Sequence, residues 1–116
     1  MAGPLLTAAH RTALLANGHR TARGEDIDPV PVAKLFTPDA AATWLLTELD
    51  PTEPDRAFGL CDAGLGSPEL GYVCLSELAG LRGRLGPPVE RDRHFTPRRP
   101  LSAYAEEARS AGRILA

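Results

Sequence analysis

Three groupings of side chains in this 116-residue sequence have the types that could do chemistry. Glu90, Asp92 and His94 alternate with Arg91 and Arg93, so on a strand the two carboxylates and the imidazole would share one side. Hard and borderline cations take such ligands. Residues two apart on a strand sit roughly 6.6 Å apart at Cα, and the outer pair about 13 Å, so one ion cannot be held by all three. Asp92 and His94 with a third ligand from elsewhere would be the workable metal site. The competing reading is an exposed strand whose acids pair with neighbouring arginines, contacts that are worth little individually.

Cys61, Asp62 and Glu69 form the second grouping, around the turn Gly64-Leu65-Gly66-Ser67-Pro68. A thiolate at Cys61 could act as a nucleophile with His94 as its base, although cysteine is as often a small buried hydrophobe. Asp62 and Glu69 are candidate hydrolytic carboxylates. Glu48 and Asp62 fall on adjacent expected strands, where the rim of an apolar face could raise a carboxyl pKa into the range for proton transfer. Solvated strand ends are the plainer account of both. The Gly64-Leu65-Gly66 turn lacks the third glycine and following helix of a dinucleotide loop, and no GK[ST] run exists, so no cofactor is expected.

The third grouping is charge. Net charge is −2, yet residues 39–77 carry eight acids against Arg56 alone, while residues 82–99 carry six arginines against Glu90 and Asp92. The two stretches either neutralise one another or present separate steering surfaces. Candidate binding residues are Asp50, Glu53, Asp55 and Glu69 on the acidic side and Arg91, Arg93, Arg98 and Arg99 on the basic side. Clustered arginine around Phe95 would suit phosphate contacts, but the acidic balance of the whole chain argues against nucleic acid.

The elements that must position these groups follow from local pattern. Thr7 is placed to cap a short N-terminal helix carrying Leu14 and Leu15, with Asn17-Gly18 as its left-handed stop. Residues 19–31 read as a loop or linker. Alternating runs at Val32–Phe36, Thr43–Glu48, Ala57–Asp62 and Gly71–Leu75, each separated by Pro, Asp and Gly turns, predict an antiparallel meander. The register that gathers most apolar side chains puts Ala33, Leu35, Trp44, Leu46, Phe58, Leu60, Val73 and Leu75 on one face. Cys61 and Cys74 would lie on the other, where they could be cross-strand neighbours. Ser76 caps a short helix that stops at Gly83 or Gly86, and Val89–Phe95 reads as a charged edge strand. From Ser102 the stripe Tyr104, Ala108, Ala111 and Leu115 marks a C-terminal helix. The expectation is one α+β domain over residues 1–116: a four- to five-stranded, mainly antiparallel meander sheet with both terminal helices packed on one face.

Composition excludes several classes. The chain is 43% hydrophobic with only two cysteines, and 18 apolar residues never run together. Neither a disulfide scaffold nor a membrane span is indicated, and sparse cysteine with no export signal favours the cytoplasm. The strings Lys34-Leu35-Phe36-Thr37-Pro38, Thr43-Trp44-Leu45-Leu46-Thr47-Glu48, Phe58-Gly59-Leu60-Cys61-Asp62 and Pro68-Glu69-Leu70-Gly71-Tyr72-Val73 resemble a bacterial domain-of-unknown-function family. The resemblance continues through Glu90-Arg91-Asp92, His94-Phe95, Pro100-Leu101-Ser102-Ala103-Tyr104-Ala105 and Gly112-Arg113-Ile114. It implies the setting of that family, the accessory cargo of plasmids and integrative elements, and carries no catalytic residues. The expected function is a non-enzymatic protein-binding module that engages a host or element-encoded protein and modulates a host defence system. Trp44 and Tyr72 would anchor the partner if exposed, and an exposed sheet edge at Val32–Phe36 or Val89–Phe95 could also support a dimer. The alternatives are a small carboxylate- or metal-dependent hydrolase and a nucleic-acid-binding protein.

Overall fold

The computed structural model describes residues 5–82 and 86–116. The expected stop at Gly83 and the basic residue Arg84 lie outside the described residues. Helix α1 (Ala8–Ala22) starts where Thr7 predicts. The Thr7 hydroxyl accepts from the His10 N–H at 3.0 Å, and the Thr7 N–H donates to His10 Nδ1 at 3.2 Å, a reciprocal box that satisfies two orphan donors. Burial, and then the Arg91 guanidinium, push His10 below its ordinary pKa, which favours the neutral ring that can accept there.

The expected stop at Asn17-Gly18 is overturned, because α1 runs through it to Ala22. Asn17 Nδ2 donates to the Thr47 carbonyl at 2.9 Å. A Cβ on Gly18 would lie 1.8 Å from the Leu49 carbonyl oxygen. Both residues serve a close approach of helix to strand, and that tertiary contact overrides the local stop signal. The irregular segment is correspondingly shorter than residues 19–31 and begins after Ala22.

The sheet comprises β1 (Ala33–Phe36), β2 (Thr43–Leu49), β3 (Arg56–Asp62), β4 (Glu69–Cys74) and β5 (Glu90–Arg91), in the order β4-β3-β2-β1-β5. Every pairing is antiparallel. Because β5 pairs with Leu35 and Phe36, the expected exposed edge at Val32–Phe36 is inside the sheet. The expected strand Val89–Phe95 is reduced to two residues.

The register of β2 on β3 departs from the expectation by one residue. Nearest the turn, Leu49 faces Ala57 and Glu48 faces Phe58; beyond a bulge between Leu46 and Glu48, Leu46 faces Gly59 and Trp44 faces Cys61. A one-residue slip exchanges the two faces. Leu46 and Trp44 therefore share their side with Gly59 and Cys61, while Phe58 and Leu60 move to the other. The expected single core face becomes two. On one side Leu35, Trp44, Leu46, Leu49 and Ala57 pack with Leu6 and Leu14 of the N-terminal region. On the other, Leu45 and Leu60 pack with Leu101, Tyr104, Ala105 and Ala108. The terminal helices thus cover opposite faces of the α+β sheet.

Helix α2 (Leu75–Gly80) follows β4 directly, with Cys74 rather than Ser76 at its cap position and no side-chain cap bond. Helix α3 (Leu101–Ala111) also lacks a side-chain cap at Pro100. Its first donors are satisfied from a distance: Leu101 N–H donates to the Pro29 carbonyl at 3.0 Å, and Ser102 N–H to Asp28 Oδ1 at 3.0 Å. The Ser102 hydroxyl donates to the other Asp28 oxygen. Gly112, at φ 75°, ends the helix, so Ala111 and Leu115 of the expected stripe are exposed, and Leu101 and Ala105 are buried with Tyr104 and Ala108.

Gly18→Ala should lower stability by roughly 2–3 kcal/mol, because the new methyl must displace backbone. Gly71→Ala, where a Cβ meets nothing within 4 Å, should stay within about 0.5 kcal/mol. Urea unfolding of both variants tests this, and equal midpoints would refute the close approach.

Candidate functional site

Of the carboxylates expected to do chemistry, Asp62 and Asp92 are engaged by backbone donors. Asp62 is 2% exposed. Its Oδ1 accepts from the Gly64 N–H at 2.8 Å and its Oδ2 from the Ile114 N–H at 3.0 Å, so it fastens the residues after α3 to the end of β3. Glu69, opposite Cys61, is exposed on the other face of the sheet. Glu48 sits opposite Phe58 and Asp62 opposite Thr43, far apart along the ladder. The bulge takes Glu48 off the side where Leu49 packs. No pair of these groups converges.

Asp50 Oδ1 accepts from both the N–H and the hydroxyl of Thr52, at 2.9 and 2.8 Å. Those bonds hold its pKa below the ordinary carboxylate value. Asp55 accepts from the Ser76 N–H at 2.9 Å and the Ser76 hydroxyl at 2.6 Å, holding the first turn of α2. Glu53 is exposed at the tip of the same turn.

The Glu90, Asp92 and His94 set is dispersed, because the strand stops at Arg91. Asp92 Oδ1 accepts from the His94 N–H at 2.9 Å in a tight turn, and Asp92 pairs with Lys34 at 3.4 Å. The His94 bond leads in holding the Asp92 carboxyl below its ordinary pKa. Among the described residues, no three His, Cys, Asp or Glu side chains gather closely enough to hold a metal ion.

The arginines divide. Arg91 donates to the Leu5 carbonyl at 2.8 Å. Arg99 makes a two-pronged pair with Glu107 at 2.9 and 3.0 Å and lies 4.7 Å from the Tyr104 ring centre. Arg93 and Arg98 are exposed. Lys34, His94, Arg98, Arg99 and Tyr104 line a groove of about 490 Å³, across which Lys34 also donates to the Ala116 carbonyl oxygen. The ion pairs of Asp50, Asp92 and Glu107 join Arg56, Lys34 and Arg99, so none of the three bridges the acidic and basic stretches.

Cys61 and Cys74 are not cross-strand neighbours: Cys61 faces Glu69 and Cys74 faces Arg56 at opposite ends of the β3–β4 ladder. Burial pushes the Cys61 thiol up to about 11. It packs against the α1-side core, whereas His94 lines the groove with Tyr104 on the α3 side, so His94 is not its base.

The sequence pattern marks β4 as a strand but not as an edge. Among the described residues it is the long free edge of the sheet. Leu70 is 45% and Tyr72 54% exposed on it. The Tyr72 ring meets Phe58 edge-on at 5.0 Å between centres, and the Arg56 guanidinium lies 3.9 Å from its centre. Of the two expected aromatic anchors, Trp44 is buried and Tyr72 is presented to solvent. The signal was present in Glu69-Leu70-Gly71-Tyr72, where no lysine or proline interrupts the strand as edges commonly require.

A family model described as a protein of unknown function (DUF2958) matches residues 5–115. No curated protein and no solved structure matches the chain. Among the described residues no helix is long and apolar enough to cross a membrane.

Asp62→Ala should cost about 2 kcal/mol by stranding two N–H donors and should speed amide exchange at Ile114. Unchanged stability and exchange would overturn its structural role. Iodoacetamide at pH 7.5 should leave Cys61 unlabelled in the folded protein and label it in urea, read by mass spectrometry; rapid native labelling would restore the nucleophile.

Proposed function

Because the chain belongs to this family of unknown function, its activity has to be read from its own residues, and we propose that it is a non-enzymatic protein-binding module docking through the outer edge of β4. The observation that carries this reading is the exposure of Leu70 and Tyr72 on β4, whose outer side no strand pairs with among the described residues. Large apolar side chains at a sheet edge lose favourable burial unless something covers them, and the strand offers main-chain donors and acceptors beside them. Tyr72 is held by Phe58 and Arg56 before any partner arrives, so little rotamer freedom is left to lose on binding.

The engagement of Asp50, Asp55, Asp62 and Asp92 by backbone N–H groups supports the same conclusion from the other side. Carboxylates that hold turns and helix starts are poor proton shuttles. The module would work in the cytoplasm as an accessory protein of a mobile element, engaging a host or element-encoded protein and modulating a defence system.

The test is affinity capture of the tagged chain from a bacterial lysate, with and without nuclease, alongside a Leu70→Ser/Tyr72→Ser double variant whose fold is checked by circular dichroism. One stoichiometric protein that survives nuclease and is lost with the double variant is the expected result. Recovery that vanishes with nuclease, or a partner retained equally by the variant, overturns the reading.

A further inference from the structure

The hydrogen-bond phase of β4 follows from one contact. Leu75 N–H donates to the Asp55 carbonyl at 2.8 Å, which marks residues 55 and 75 as a bonded pair in the β3–β4 register. Bonded and non-bonded pairs alternate along an antiparallel ladder. Val73, Gly71 and Glu69 therefore exchange bonds with β3, while Leu70 and Tyr72 turn their N–H and C=O groups outward and Cys74 its N–H alone, its carbonyl being taken by the first turn of α2. Among the described residues no other strand pairs with that side.

Charge surrounds this edge asymmetrically. Glu69 opens the strand, and at its other end Cys74 is flanked by the carboxylates of Glu77, Asp55 and Glu53, whose fields add to burial in raising its thiol pKa. Arg56, a base beside them, stacks on Tyr72 and pairs with Asp50 at 4.0 Å. A second copy adding β4 to β4 about Tyr72 would bring Glu69 of one chain toward the Asp55 and Glu77 end of the other, twice over. Like charges so placed disfavour self-pairing and favour a strand of opposite sign.

We infer that the partner contributes an extended basic segment, adding as a sixth strand along Leu70–Cys74 with apolar side chains over Leu70 and Tyr72 and lysine or arginine at both ends. This rests on the binding-module reading above and specifies its chemistry. The main chain of the segment would meet the outward N–H and C=O groups of Leu70 and Tyr72 and the N–H of Cys74, and its cations would meet Glu69 at one end and Glu53, Asp55 and Glu77 at the other.

The probes are two synthetic nine-residue peptides with the same alternating valine and threonine centre, one flanked by lysines and arginines and the other by glutamates, titrated into the isotope-labelled full chain. The basic peptide should shift the amides of Leu70, Tyr72 and Cys74 and slow their exchange. It should bind at least about tenfold tighter than the acidic one at 50 mM salt, with the difference shrinking at 500 mM. Leu70→Pro removes an outward N–H without touching the β3 ladder and should abolish the shifts; if it unfolds the chain, a basic peptide N-methylated at alternate positions gives the same test. Equal affinity for both peptides, or shifts confined to the Lys34 and Arg98 groove, overturns the inference. A lysate partner that is lost with the double variant but is not displaced by the basic peptide overturns the charge assignment alone and leaves the binding module standing.

Discussion

The extra residue at Thr47 in β2 sets the arrangement of everything packed on the sheet. Strict alternation from Trp44 and Leu46 would bring Glu48 to the α1 side. With the bulge between Leu46 and Glu48, Leu49 arrives there instead and is fully buried. The same shift sends Phe58 and Leu60 to the opposite face, where they give α3 a surface to cover. Thr47 is itself inaccessible, and its carbonyl, displaced from the regular ladder, is met by Asn17 of α1. A bulge that exposed this group without a partner would strand a buried acceptor. Helix α1 consequently lies close enough to β2 that only glycine fits at position 18.

This interaction also explains how far the sequence could be read. The four meander strands and the C-terminal helix were legible because alternation and the helical stripe are properties of neighbouring residues. So was the start of α1, since a capping threonine acts within one turn. The bulge was not legible: Thr43-Trp44-Leu45-Leu46-Thr47-Glu48-Leu49 satisfies strict alternation as well as the shifted phase, and only the turn at 50–55 together with α1 decides between them. Asn17-Gly18 carries a stop signal of correct local chemistry, and a contact with Leu49 overrides it.

The candidate site was less legible for a related reason. Aspartates that accept from backbone N–H groups resemble reactive aspartates in composition. Asp62 differs from a catalytic acid only in what lies opposite it, the amides of Gly64 and Ile114, and Ile114 is remote in sequence. Asp28, which supplies the first-turn bonds of α3, stood in a segment with no periodicity at all. Tyr72 was legible as an anchor candidate, and its exposure follows from strand order, which hydrophobic pattern alone does not fix.

The bond from Ser102 to Asp28 joins residues 74 apart in sequence. Helix α3 begins at a proline-marked position with no cap of its own, and 11 residues is short for a helix standing alone in water. The donors of its first turn are satisfied only while the segment around Asp28 and Pro29 stays docked, and that segment is held by α1 and β1 on either side. The two ends of the chain are thereby coupled: whatever undocks the segment between Ala22 and Ala33 takes away the acceptors of the first turn of α3, so the far end of the chain depends on that segment for its stability.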